Sequence, residues 1–177
     1  AVTVADLSAE RPAVWGWDLA RDVNWTVGIA LDAEGQMCRL ERWHAPWDTT
    51  YERIVQHTAE TAAWVDSTGV GDPLFAFLHR GRANFHGYTF TPLSKQQLME
   101  GLARAIGLRE IRLTAGVVAN ECKTIEFEHT AHGVRYGAPE GLYDDCVMAL
   151  ALAVHGRVKG PTFALPELVG TRSSPWR

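Results

Sequence analysis

Asp18 in the run WGWDLA, Asp66 in AAWVDSTG, and the pair Asp144 and Asp145 in GLYDDCVMALALAV are carboxylates set against apolar, tryptophan- or alanine-rich surroundings. Burying a carboxylate is costly unless a cation or strong hydrogen bonds compensate it, and aspartate is depleted in strands. Acids that converge from separate segments offer hard oxygen donors to a divalent ion such as magnesium. Two such ions about 3.5–4 Å apart can activate a water and stabilise the departing oxygen of a phosphodiester. On this reading Asp18 bridges the ions, Asp66 serves one of them, and Asp144 or Asp145 serves the other. Each acid alone also has a structural role open to it: carboxylates in a helix's first turn complement the macrodipole, and Asp66 before Ser-Thr-Gly can shape a turn. The chemistry therefore depends on where the chain brings them.

The elements that must position them follow from pattern. Residues 14–19 and 25–31 are β-rich runs separated by the polar turn 21–24, and a third run, 37–43, follows the Asp32-Ala33-Glu34-Gly35 turn, giving a three-stranded antiparallel meander. From Asp48 the spacing of Tyr51, Ile54, Val55, Thr58 and Ala62 predicts a helix with Asp48 or Thr49 as N-cap. Residues 62–66 read as a short strand ending at Asp66. Asp72 and Pro73 open a second helix, and 85–90 is a further strand. Residues 94–106 are helical, with Ser94 and Gln97 at capping-box spacing. Within 111–136 only 125–129 alternates like a strand, with 133–135 as its hairpin partner. The last helix runs over 143–155 with a stripe of Val147, Leu150, Ala151 and Val154. Strands and helices in this order make an α/β fold, a mixed sheet with helices on its faces. One domain spans 1–160, and the proline-containing tail 161–177 reads as irregular.

Composition bounds the partners. With 177 residues and 46% hydrophobic content the chain can bury a substantial core, and no apolar run approaches membrane-spanning length. The three cysteines have neither an even count nor a C-x-x-C spacing, so neither a disulfide framework nor a zinc finger is expected. A net charge of −4 argues against a surface that is basic throughout, but a local basic stripe beside an acidic metal site is compatible with it. Arg21, Arg80 and Arg82 are candidates for gripping a DNA backbone. Lys95 opposes the dipole of its helix's first turn, which points to a phosphate contact or to balancing the acids. No phosphate-binding G-x-x-x-x-G-K-[ST] loop occurs. Trp15, Trp17, Trp25 and Trp64 read as packing residues.

Together, WGWDLARDVNWTV, WVDSTGVGD, YTFTPLSKQQL and YGAPEGLYDDCVMALALA, in this order over residues 14–155, resemble the C-terminal nuclease domain of tailed-phage large terminase subunits. The resemblance implies an RNase H-like (retroviral-integrase-like) fold and metal-dependent cutting of double-stranded concatemeric DNA with little sequence specificity, during genome packaging in the host cytoplasm. It implies Asp18, Asp66 and Asp144 as metal-binding catalytic acids, Asp145 as an extra or alternative ligand, and Mg2+ or Mn2+ as cofactor, two ions in number. It further implies an ATPase domain of the same subunit, the small terminase subunit and the portal as partners, so a domain of a longer subunit is expected. Many relatives have His where Tyr143 stands, and many have Asp at the position of Asn24. The other readings are an RNase H-like resolvase-type nuclease acting on junctions or hybrids, and a catalytically idle DNA-binding or assembly module.

Overall fold

The computed structural model describes residues 2–19, 25–68, 73–130, 133–140 and 142–160. The turn 21–24 with Arg21, the turn 69–72 with Asp72, and the tail 161–177 lie outside the described residues.

The meander forms as expected. Strands β1 (Val14–Asp18), β2 (Thr26–Leu31) and β3 (Met37–Trp43) pair antiparallel, with Asp18 opposite Val27 and Val27 opposite Arg42. Helix α1 (Trp47–Thr58) returns the chain to β4 (Ala62–Asp66), which lies parallel to β1, and α2 (Pro73–His79) returns it to β5 (Phe85–Tyr88), parallel to β4. The sheet order is β3-β2-β1-β4-β5, with parallel and antiparallel pairs in one five-stranded sheet. Helix α3 (Pro92–Gly107) and α4 (Val117–Thr124) follow, then a separate hairpin of β6 (Glu126–Thr130) and β7 (Gly133–Gly137), and finally α5 (Asp145–Lys159).

Because strand side chains alternate, β1 divides the core. Trp15 and Trp17 stack at 4.9 Å on one face, with Ile54 of α1 and Leu74 and Leu78 of α2. Val14, Gly16 and Asp18 face the other way, toward α5, where Val27, Ile29, Leu98, Leu102, Leu150 and Val154 form the second core cluster. Gly16 is the pivot of that contact. A Cβ there would stand 2.0 Å from the Ala149 carbonyl oxygen and 2.4 Å from the Ala153 nitrogen, so α5 lies directly on the β1 backbone.

Several boundaries differ from the sequence pattern. Helix α1 begins at Trp47, with Pro46 at the cap and no side-chain cap bond; the rigid Pro46 supplies the entry and Asp48 joins the first turn. The capping box of α3 is Thr91 with Ser94, not Ser94 with Gln97. The Thr91 hydroxyl accepts from the Ser94 N–H at 3.1 Å, the Ser94 hydroxyl accepts from the Thr91 N–H at 2.8 Å, and Pro92 occupies the first turn. β5 stops at Tyr88 because the Phe90 N–H turns to the Thr68 hydroxyl, 2.9 Å away. Helix α5 starts at Asp145 and extends to Lys159, and it is buried around nearly its whole circumference, not along a single stripe. Its small residues Ala149, Ala151, Ala153 and Gly156 let it lie between the sheet, α3 and α4.

Candidate metal centre

The sheet register brings the first two acids together. β1 and β4 run parallel with Trp17 opposite Val65, so the next residues, Asp18 and Asp66, end neighbouring strands side by side and on the same face. That face is the one α5 covers, and α5 runs back along β1 so that Gly156 meets Val14 and its N-terminus lies over Asp18. Asp18, Asp66, Asp144 and Asp145 accordingly line one cleft of about 320 Å³ with Leu19, Thr68, Phe90, Lys95 and Met148. The convergence anticipated from the separate segments is present in the fold.

The electrostatics of the cleft are those of crowded like charges. Burial, and then Asp145, Asp66 and Asp144, push the Asp18 carboxyl well above the usual carboxylate range, with Lys95 opposing them. Asp145 is 6% exposed, and burial followed by Asp144 raises its proton affinity, against the Trp25 backbone N–H, Arg42 and His44. Its Oδ2 is buried without a hydrogen-bond partner. Lys95 Nζ stands 3.6 Å from Asp144 Oδ2, so the lysine balances the acidic group. Asp66 Oδ1 accepts from the Thr68 N–H at 2.8 Å and from the Thr68 hydroxyl.

Among the described residues no three His, Cys, Asp or Glu side chains already stand at ligand spacing around one point. Two of the acids are engaged by neighbours instead: Asp66 accepts from Thr68, and Asp144 pairs with Lys95. The donor set nonetheless fits a hard divalent cation. It consists of carboxylate oxygens, one of them buried and unpartnered, around a desolvated acid with three further carboxylates and only Lys95 to offset them.

One supporting residue was not anticipated. Glu121 of α4 is only 8% exposed, and its Oε2 accepts from the Cys146 N–H at 2.9 Å. Asp144, at the N-cap position of α5, makes no side-chain cap bond. Glu121 therefore caps α5 from another helix, and both aspartates are left to face the cleft. Helix α4 itself was hidden, since only eight residues with mixed polarity carry it and Gly116 stands at its cap.

Of the expected DNA-gripping arginines, Arg80 and Arg82 are among the described residues, and neither lines the acidic cleft. Asn84 bonds the Ala59 and Thr61 carbonyls at the start of β4, and Arg82, nearby, donates to the Tyr51 hydroxyl at 2.9 Å while Arg80 lies over Phe77. Both arginines lie on the connection from α2 into β5. Lys95 alone of the described candidate cations lines the acidic cleft. Trp15 and Trp17 are core residues, as expected.

No protein-family model matches the chain, and no curated protein does. Solved structures do. The large terminase nuclease of the thermophilic phage G20c, solved with bound magnesium, superimposes with a TM-score of 0.75 at 24% identity, covering 86% of this chain and 85% of that one. The large terminase nuclease domain of Thermus phage P74-26 gives 0.70 at 20% identity, covering 86% and 89%. The large terminase nuclease domain of bacteriophage SPP1, solved with bound Mn, gives 0.54 at 15%, covering 80% and 84%. The mixed five-stranded sheet with helices on both faces is therefore the RNase H-like fold of the large terminase nuclease domains.

Proposed function

We propose that the chain is the nuclease domain of a phage DNA-packaging terminase, a divalent-metal-dependent endonuclease that cuts double-stranded concatemeric DNA with little sequence preference. The observation that carries this reading is the meeting of four aspartates from β1, β4 and α5 in one cleft, with the buried Asp145 Oδ2 unpartnered. The metals bound in the phage G20c and SPP1 nucleases support a divalent cation here, Mg2+ or Mn2+.

In this reading Asp18, Asp66 and Asp144, with Asp145, hold the cations, two in number, and Asp18 lies between the acids of β4 and those of α5. When bound, the ions supply Lewis acidity toward a phosphodiester and its attacking water. The chain's own residues do the rest. Asp18 and Asp66 are fixed by the strand ends, and Asp144 and Asp145 by the α5 N-terminus that Glu121 caps. Lys95 offsets the acids before a cation arrives and is placed to contact a phosphate oxygen afterwards. Leu19, Phe90 and Met148 give the cleft an apolar wall that strengthens the interaction of charges inside it. The ATPase domain of the same subunit, the small terminase subunit and the portal are the partners this function requires, and the host cytoplasm its place of action.

The test compares wild type with Asp18→Ala on linear duplex, a four-way junction and an RNA–DNA hybrid, in Mg2+, in Mn2+ and in chelator. Cleavage of the duplex by wild type, its loss in chelator, and its loss in a folded Asp18→Ala variant are the expected results. Full activity of Asp18→Ala overturns the assignment of the site. Preference for the junction or the hybrid moves the substrate to a resolvase or RNase H type, and a wild type that neither cuts nor binds metal is an idle module.

A further inference from the structure

The cross-strand row that contains Asp18 does not end with the acids. Asp18 pairs with Val27, and Val27 pairs with Arg42, so Arg42 lies two strands away on the same sheet face, with Val27 under α5 between them. At the usual strand spacing the two backbones are roughly 10 Å apart. Arg42 opens onto a second cleft, of about 410 Å³, shared with Val117, Asn120, Glu121, Thr124 and Tyr143. Tyr143 immediately precedes Asp144, and the two clefts share the α5 N-terminus as their dividing wall.

The state of Arg42 is unusual for a half-buried arginine. Its guanidinium lies 4.2 Å from the centroid of the Trp25 ring, which His44 flanks from 3.9 Å. Its Nε is buried without a hydrogen-bond partner, and no carboxylate among the described residues forms an ion pair with it. Arg42 offsets the charge of Asp145 without forming an ion pair with it, and Glu121, which lines the same cleft, already accepts from the Cys146 N–H. A guanidinium held by stacking, with donors unused, at the rim of a cleft that also offers an amide and a phenol, matches the geometry of an oxyanion with several acceptor oxygens.

We propose that Arg42, stacked on Trp25, is a phosphate-binding subsite that grips the nucleic-acid backbone a few nucleotides from the bond positioned over the aspartates. The proposal rests on the nuclease reading and adds to it the direction of the strand, from Asp18 across β2 toward β3. Arg42 is a positioning residue for the substrate and takes no part in holding a cation.

The experiment measures binding of a 30-base-pair duplex in Ca2+ over a range of salt concentrations, Mn2+ binding to the free protein by calorimetry, and steady-state cleavage, for wild type, Arg42→Ala, Arg42→Lys and, as a control, Arg104→Ala. Arg104 is 67% exposed near the far end of α3. Arg42→Ala is expected to bind DNA about 5–10-fold more weakly, with the salt slope reduced by about 1, a raised KM and little change in kcat. Arg42→Lys recovers the salt slope but only part of the affinity, and Arg104→Ala and all Mn2+ affinities stay at the wild-type level. DNA affinity and slope unchanged in Arg42→Ala overturn the subsite. So does an Arg42→Ala variant that loses Mn2+ affinity with its salt slope intact, because Arg42 then serves only to offset Asp145. A wild type that does not cut or bind DNA overturns the nuclease reading itself, which the Arg42 variants alone cannot do.

Discussion

Asp18 is a buried carboxyl crowded by Asp145, Asp66 and Asp144, and this has a clear consequence. Its carboxyl and that of Asp145 hold protons more tightly in the folded chain than in the unfolded one. In the absence of a cation their contribution is therefore favourable at low pH and is lost as pH rises from the ordinary carboxylate range, about 4, through the raised values. Asp18→Asn removes one of these groups. Its melting temperature in chelator is expected to fall less steeply than wild type between pH 4 and pH 8, while cleavage drops at least about 100-fold. Parallel melting curves for the two proteins would show that the charge crowding at Asp18 costs nothing. The sequence exposed this residue because an aspartate between tryptophan and leucine in a strand needs a reason. It did not expose Thr68 or Glu121, whose types are ordinary and whose importance comes only from the partners the fold gives them.

The elements show where pattern suffices and where it does not. The meander and β4 were legible from alternation and turn residues, because each strand has one face on each core. Helix α5 was legible as a helix, but its burial on nearly all sides was not, since periodicity reports one apolar face while packing adds the others. Gly16 gives that packing a test: Gly16→Ala forces a methyl into the Ala149 and Ala153 backbone and is expected to cost about 1–3 kcal/mol in urea unfolding, with the acids of α5 displaced from those of the strands. Glu121→Ala leaves the first N–H groups of α5 without their acceptor and is expected to cost about 1–3 kcal/mol and to weaken Mn2+ binding. Glu121→Gln keeps an acceptor and should recover most of both. If Glu121→Ala loses stability with Mn2+ affinity untouched, the cap holds the helix but does not aim the aspartates.

Taken whole, the molecule is a sheet that presents its acids at one end, with the α1 and α2 layer on one side and the α3, α4 and α5 layer on the other. The net charge of −4 gains much of its meaning from this one cleft. Divalent ions should stabilise the folded state by about 2.7 kcal/mol at 100 times Kd, a rise of roughly 5–10 °C in melting temperature for a chain of this size. That shift, followed by Mn2+ titration with Asp18→Ala as reference, is expected in wild type and absent from the variant. The register of the sheet was beyond the sequence, since it is fixed by pairings between β1 and β4 across an intervening helix, and the row from Asp66 through Asp18 to Arg42 became visible only with it.

The element at the centre of the larger core is also, among the described elements, the last in chain order. Val14, Gly16, Ile29 and Leu98 have their cover only once α5, ending at Lys159, has been made. Half of the aspartates arrive on that same helix. A nascent chain stopped short of it lacks both this core and the four-aspartate cleft, so on the proposed reading synthesis yields no interval in which an unfinished chain is armed to cut.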